Sequence, residues 1–165
     1  MQDFVHLHVH TQYSILDGQA AIPKLVDKAI KDGMRGMAIT DHGNMMGIKE
    51  FFNYTNKVTG KAKGIVKDTE AKLASLQDGT YAPKFDKEGK NPDEGKTKEQ
   101  LISECEATLK KQRPIANFKP IFGCEMYVAR RGDKSLKQDR TDQSGWHLIV
   151  LAKNEHGYHN LIKLV

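Results

Sequence analysis

The stretch Phe4-Val5-His6-Leu7-His8-Val9-His10 places imidazole and apolar side chains at alternate positions. A period of two is that of a β-strand, so the pattern predicts a strand with His6, His8 and His10 on one face and Val5, Leu7 and Val9 on the other. Crowding three groups that can each become positive gains nothing for folding, whereas a shared ligand gives the arrangement a purpose. Outward from this stretch, Ile22, Leu25, Val26, Ala29 and Ile30 recur at helical spacing, with Pro23 suited to the first turn and Gly33 to the stop. Gly36 to Thr40 then reads as a short apolar strand running into Asp41-His42-Gly43, and Ile48, Phe51 and Phe52 suggest a second helix.

From Lys57 to Phe118 lysine, glycine and polar residues dominate, and the segment reads as an insertion in which Pro83, Pro92 and Pro114 break any long element. Its middle, Asp78 to Lys98, lacks apolar periodicity and is expected to be a mobile loop. Leu101, Ile102, Cys105 and Leu109 predict one amphipathic helix near its end. Strand patterns resume at Pro120 to Val128 and at Trp146 to Ala152, separated by a turn-rich segment from Arg130 to Gly145. Asn154 is placed to cap a last helix, with Tyr158, Leu161, Ile162 and Val165 on one stripe that meets no stop signal, as expected of a truncated chain. Strand and helix in alternation predict a parallel sheet or barrel, with up to four βα units in view.

A length of 165 residues suits one domain. The two cysteines, Cys105 and Cys124, have no CxxC spacing, which excludes a disulfide framework and a thiolate zinc site and fits a reduced, cytoplasmic setting. The longest apolar run, Leu148 to Ala152, is strand-sized, so no membrane partner is expected. A net charge of +5 suits a phosphate-bearing partner, although solvated lysine surfaces give the same excess. Arg130 and Arg131 are candidates for phosphate contact, with a solvated basic turn as the ordinary role.

In parallel βα folds functional side chains gather where strands end. His8 and His10 end the first strand, Asp41 and His42 follow the second, Glu125 lies in the third and His147 starts the fourth, with Asp17 in a loop. Imidazole nitrogen and carboxylate oxygen are ligands that divalent zinc, manganese and iron accept. Each residue alone has an ordinary role: His42 a turn histidine, Asp17 a turn aspartate before Gly18, Glu125 an edge carboxylate paired with lysine. In order on successive strands they form a constellation.

The motifs His6-Leu7-His8-Val9-His10-Thr11, Ser14-Ile15-Leu16-Asp17-Gly18 and Ile39-Thr40-Asp41-His42-Gly43 resemble the polymerase and histidinol phosphatase (PHP) family. Phe122-Gly123-Cys124-Glu125-Met126-Tyr127-Val128 and the run from His147 to Asn154, followed by Gly157-Tyr158 and Asn160-Leu161, resemble its replicative-polymerase members more than its free-standing phosphatases. The resemblance implies an α/β fold, the first half of a distorted barrel of seven βα units, with a core of residues 1–56 and 119–165 around an insertion at 57–118. It implies up to three divalent ions (zinc, manganese or iron) on His8, His10, Asp17, His42, Glu125 and His147. Glu125 would bridge ions, and Glu125 and His10 carry the catalytic role. His6 stands where many relatives have aspartate and is left outside the set.

Further ligands, including an Asp-x-His pair, belong to later strands of the family. The implied activity is metal-dependent phosphoester hydrolysis, with 3′ to 5′ exonuclease proofreading on DNA, and the implied partners are DNA and the other subunits of a replicative polymerase holoenzyme. Two alternatives stand beside it: a metal-stabilised docking module without catalysis, and a free-standing phosphatase. An amidohydrolase also opens on His-x-His, but Thr40-Asp41-His42-Gly43 is foreign to that pattern.

Overall fold

The computed structural model describes residues 4–85, 88–138 and 140–165. Two compact units emerge, one reaching to Asn56 and resuming at Phe118, the other spanning Lys57–Asn117. In the first, helix α1 (Ile22–Lys31) starts with proline in its first turn and ends before Gly33, whose φ of 78° is the left-handed conformation that glycine adopts without strain. Strand β1 (Gly36–Ile39) is buried along its whole length. Strands β2 (Lys119–Val128) and β3 (Trp146–Leu151) follow, and helix α4 (Glu155–Leu164) is capped by the Asn154 side chain, which accepts from the Gly157 amide at 2.9 Å. Ile22, Val26, Met37, Ile39, Phe51 and Phe118 form one buried cluster, with Phe122 and Tyr158 packed against it. Burying each large side chain there contributes about 1.5–3 kcal/mol, which seats β1 between α1 and the rest of the unit.

The strand order is β1-β2-β3. β1 and β2 are parallel, from Gly36 opposite Lys119 to Ile39 opposite Phe122. β2 and β3 are antiparallel, from Gly123 opposite Leu151 to Val128 opposite Trp146, which corrects the expectation of a parallel sheet. The connections explain the difference. The path from β1 to β2 contains helices, as a parallel crossover requires, whereas the described residues between 129 and 145 carry only a short 3-10 turn at Arg140–Gln143. Across that connection Arg131 grips Asp142, its Nε donating at 2.7 Å, so the chain folds straight back beside β2.

The opening stretch is not a regular strand. The Ala38 amide donates to the His6 carbonyl and the Thr40 amide to the Val9 carbonyl, both at 2.8 Å, so a step of two residues on the β1 side faces a step of three on the other. One extra residue interrupts the alternation in the manner of a bulge, and the Val9 amide turns to the Thr40 hydroxyl at 3.0 Å instead of a carbonyl. His8 and His10 still converge on one place, while Leu7, expected on the apolar face, is exposed.

Helix α2 (Ile48–Asp78) is 31 residues long and runs through Lys57, where the sequence suggested an insertion without long elements. Lysine, alanine and glutamate are strong helix formers, and they carry the helix past Gly60 and Gly64. Helix α3 (Lys98–Ala116) opens on a Thr97–Gln100 capping box and holds Pro114 inside its last turn. Its ring removes the amide bond to the Lys110 carbonyl, and the helix ends two residues later. In this second unit Leu76, Leu101 and Cys105 form a small core.

Between α2 and α3 the described residues of the segment expected to be mobile have no regular structure, and residues 86 and 87 lie outside the described residues. Asp93 ties it to α2, accepting from Lys72 Nζ at 2.6 Å and from the Tyr81 hydroxyl. Burial alone would raise the Asp93 carboxyl, but the bonds from Lys72 and Tyr81 hold it below its ordinary value, and the same bond to Asp93 pushes the Tyr81 phenol up to about 12. A folded-state value below the unfolded one adds stability above the ordinary carboxylate range and loses it as the pH falls through the folded value. Chemical denaturation followed by far-UV circular dichroism is therefore expected to show helical stability falling below about pH 4, and Asp93→Asn to flatten that dependence. An unchanged acid limb in the variant would refute the assignment.

Candidate metal centre

The ladder registers bring the expected residues to one edge of the sheet. The offset that pairs β1 with β2 continues beyond β1, so His42 lies directly opposite Glu125, with the Gly43 amide donating to the Glu125 carbonyl at 2.8 Å. On the other side of β2, Tyr127 lies opposite His147, which puts His147 diagonal to Glu125 on the same face. The Glu125 side chain is 3% exposed and takes His8 Nε2 at 2.7 Å and His10 Nε2 at 2.5 Å on Oε2, with His147 Nδ1 on Oε1. No lysine is among these partners, contrary to the ordinary role considered for this position. Burial alone would raise the Glu125 carboxyl, yet the bonds from His10 and His8 and the nearby imidazoles hold it below its usual value.

Asp17 completes the cluster from a loop. Its Oδ1 lies 3.2 Å from His10 Nδ1 and its Oδ2 2.8 Å from His42 Nδ1, and the His42 bond, above all, holds its carboxyl below the ordinary range. Three overlapping triads result, His8–His10–Glu125, His10–Asp17–His42 and His42–Glu125–His147, and the ligand-type atoms within each lie within 4.8 Å of one another. Such groups fit a divalent cation on chemical grounds. His8 Nε2 and His10 Nε2 are 3.1 Å apart and share one carboxylate oxygen. Bonds of about 2.1 Å to a common ion place neighbouring ligand atoms roughly 3.0–3.4 Å apart. Asp41, read from the sequence beside His42 as a ligand-type residue, is not in the cluster, and His6 joins none of the triads.

Asp41 has a different task. It is buried, and its carboxylate accepts from the Thr11 amide at 2.7 Å, from the Thr11 hydroxyl at 2.9 Å and from the Ser14 hydroxyl at 2.8 Å. Ser14 Oγ in turn accepts from the His42 amide at 3.0 Å. This knot ties the loop that carries Asp17 to the end of β1. Gly18 closes the same loop so tightly that a Cβ there would lie 2.0 Å from the Thr11 carbonyl oxygen. Gly18→Ala is expected to cost about 1–3 kcal/mol in urea denaturation and to displace Asp17 from His10 and His42; a variant as stable as the parent would refute the close fit.

Reading the sequence for ligands passed over Thr11, Ser14 and Tyr127. Tyr127 stands two residues from Glu125 and so on the same strand face, the one signal that could have found it. Its hydroxyl contacts His42 Nε2 and its ring meets the His147 ring edge-on at 4.8 Å. Of the two arginines considered for phosphate, Arg131 is engaged by Asp142 and Arg130 stacks on Trp146. Among the described residues no helix is long and apolar enough to cross a membrane.

The chain is 34% identical to the DNA polymerase III subunit alpha of Borreliella burgdorferi over 161 residues, 98% of this chain and 9% of that protein. It is 32% identical to the Treponema pallidum subunit over 98% of this chain and 9% of the relative, and 29% identical to the Aquifex aeolicus subunit over 99% and 10%. This chain therefore spans about a tenth of the length of these relatives. The family described as PHP domain matches residues 6–165, which takes in every residue of the cluster, and the chain belongs to that family.

Proposed function

We propose that this chain is the N-terminal portion of the PHP domain of a replicative DNA polymerase III alpha subunit, a DNA-directed DNA polymerase, and that its histidine and carboxylate cluster binds divalent cations for phosphoester hydrolysis. The core would be residues 1–56 and 119–165, with 57–118 an insertion. The reaction would be 3′ to 5′ removal of nucleotides at a primer end. DNA and the other subunits of the DNA polymerase III holoenzyme would be the partners, in the cytoplasm. The observation that carries the reading is that the three triads share residues, so one carboxylate, Glu125, serves two of them.

Zinc, manganese or iron, when bound, would supply a Lewis acid and a water of lowered pKa. Glu125 would hold two ligand groups apart and in register through its two oxygens, and His8, His10, His42 and His147 would each present a ring nitrogen. With a proton on Nδ1 facing Asp17, His42 would present Nε2 as the bare nitrogen that a ligand or acceptor needs. His10, in contact with both carboxylates, would couple the first two triads.

The reading is tested by changing His8 and His10 together to alanine. The purified double variant is expected to retain at least about tenfold less manganese or zinc by elemental analysis. The full-length subunit carrying it is expected to lose degradation of a mismatched primer end. Wild-type degradation by the variant would reject the nuclease reading, and metal-dependent melting with no degradation in either protein would favour a metal-stabilised docking module.

A further inference from the structure

We propose that Arg130 and Trp146 form a stacking site for the bases of single-stranded nucleic acid at the rim of the metal centre. Trp146 opens β3 and directly precedes His147, so their Cα atoms are about 3.8 Å apart. The indole is 59% exposed, and the Arg130 guanidinium carbon lies 4.4 Å from its ring centroid. The antiparallel register sets Val128 opposite Trp146 and Met126 opposite Leu148, so these side chains share one face of the hairpin, and Val128 and Leu148 are exposed as well. Together these side chains offer an exposed apolar surface to a partner, and the charge around it says which chemistry fits.

Among the described residues Arg130 has no carboxylate partner, in contrast to Arg131, which Asp142 engages. Stacking uses the flat face of a guanidinium and leaves its in-plane N–H donors for a phosphate. Residues 129–145 contain Arg130, Arg131, Lys134, Lys137 and Arg140 against Asp133, Asp139 and Asp142, a basic excess beside the aromatic group. Exposed aromatic faces within a cationic groove hold unpaired bases without regard to sequence, because every base has a π-face. Duplex DNA offers only base edges and phosphates, since its bases are stacked on one another. Successive side chains of a strand point to opposite faces, so Trp146 and His147 lie on either side of the hairpin end. A flexible single strand can turn over that end, one nucleotide on Trp146 and its neighbour toward the cluster. The link to the cluster rests on the phosphoester reading above, but base stacking on Trp146 does not.

The test is direct because Trp146 is the single tryptophan of the chain, so intrinsic emission reports this site alone. The chain is titrated, without added metal, with oligothymidine, with an abasic oligonucleotide of equal length and with a duplex of equal length. Saturable quenching by oligothymidine is expected, at least about tenfold weaker with the duplex and with the abasic strand. Arg130→Ala is expected to weaken oligothymidine binding at least about fivefold, and Arg130→Lys to recover only part of the loss, since it restores charge without the planar fork. Unchanged emission, or equal affinity for the abasic strand, overturns the proposal. Quenching of this chain with no metal-dependent degradation of a mismatched primer end by the full-length subunit leaves the stacking site standing and removes the phosphoester reading; degradation without quenching does the reverse.

Discussion

Glu125→Ala is expected to lower divalent-ion affinity at least about 100-fold and to remove ions from two triads together. Groups that merely orient metal ligands cost roughly 10–100-fold when lost, and Glu125 touches three of the four histidines itself. The loss reaches both sides of β2 because Oε2 serves His8 and His10 while Oε1 serves His147. Titration calorimetry with manganese or zinc, supported by elemental analysis, measures the number of ions as well as the affinity. Glu125→Gln separates charge from shape: it keeps the volume in a nearly closed site, and its amide nitrogen replaces one acceptor with a donor. It is expected to keep the fold and still lose most of the affinity. If Glu125→Ala bound the same number of ions with parental affinity, the cluster would not be a metal centre of the kind proposed.

The second large effect is expected at a residue outside the cluster. Asp41→Ala strips the Thr11 amide, the Thr11 hydroxyl and the Ser14 hydroxyl of a buried acceptor. Hydrogen bonds to a charged group contribute about 1.5–3 kcal/mol each and do not add fully, so a total cost of about 3–5 kcal/mol is expected in denaturant unfolding. The chemical consequence is sharper than the energetic one. Without Asp41 the loop carrying Asp17 keeps the His42 amide bond to Ser14 but loses the buried acceptor at the centre of the knot, and the His10–Asp17–His42 triad is expected to lose its ion even under conditions where the chain stays folded. Asp41→Asn tests this more gently, since one amide oxygen can satisfy only some of the donors. An Asp41→Ala variant within about 0.5 kcal/mol of the parent, with full ion occupancy, would show that the knot is incidental.

Much of this arrangement was legible in local pattern. Helix α1 follows from its apolar spacing with Pro23 at one end and Gly33 at the other, and α4 from Asn154 as cap. Those signals concern neighbours in the chain, which is why they can be read there. Helix α2 was legible only at its start, because beyond Phe52 the lysines and glycines carry no apolar stripe of the strength that marked α1. Pro114 stands inside α3 two residues before its end, so the proline lies close to the stop without being the break itself. Asp41 was seen as a possible ligand because residue type says nothing about which donors surround it.

By itself the sequence offered His8, His10, Asp41, His42, Glu125 and His147 as ligand-type residues near strand ends, and its resemblance to the family set Asp17 beside them. Only the tertiary structure decided how they meet. His147 starts its strand, and in the parallel sheet that the alternation suggested, a strand start lies at the opposite end from the strand ends that carry His10 and His42. The reversal of β3 along β2 brings its first residues beside the last residues of β2, and so carries His147 to Glu125. Strand direction is set by the connection between strands and by the ladder it allows, both of them long-range properties, and no count of residues within β3 could have supplied it.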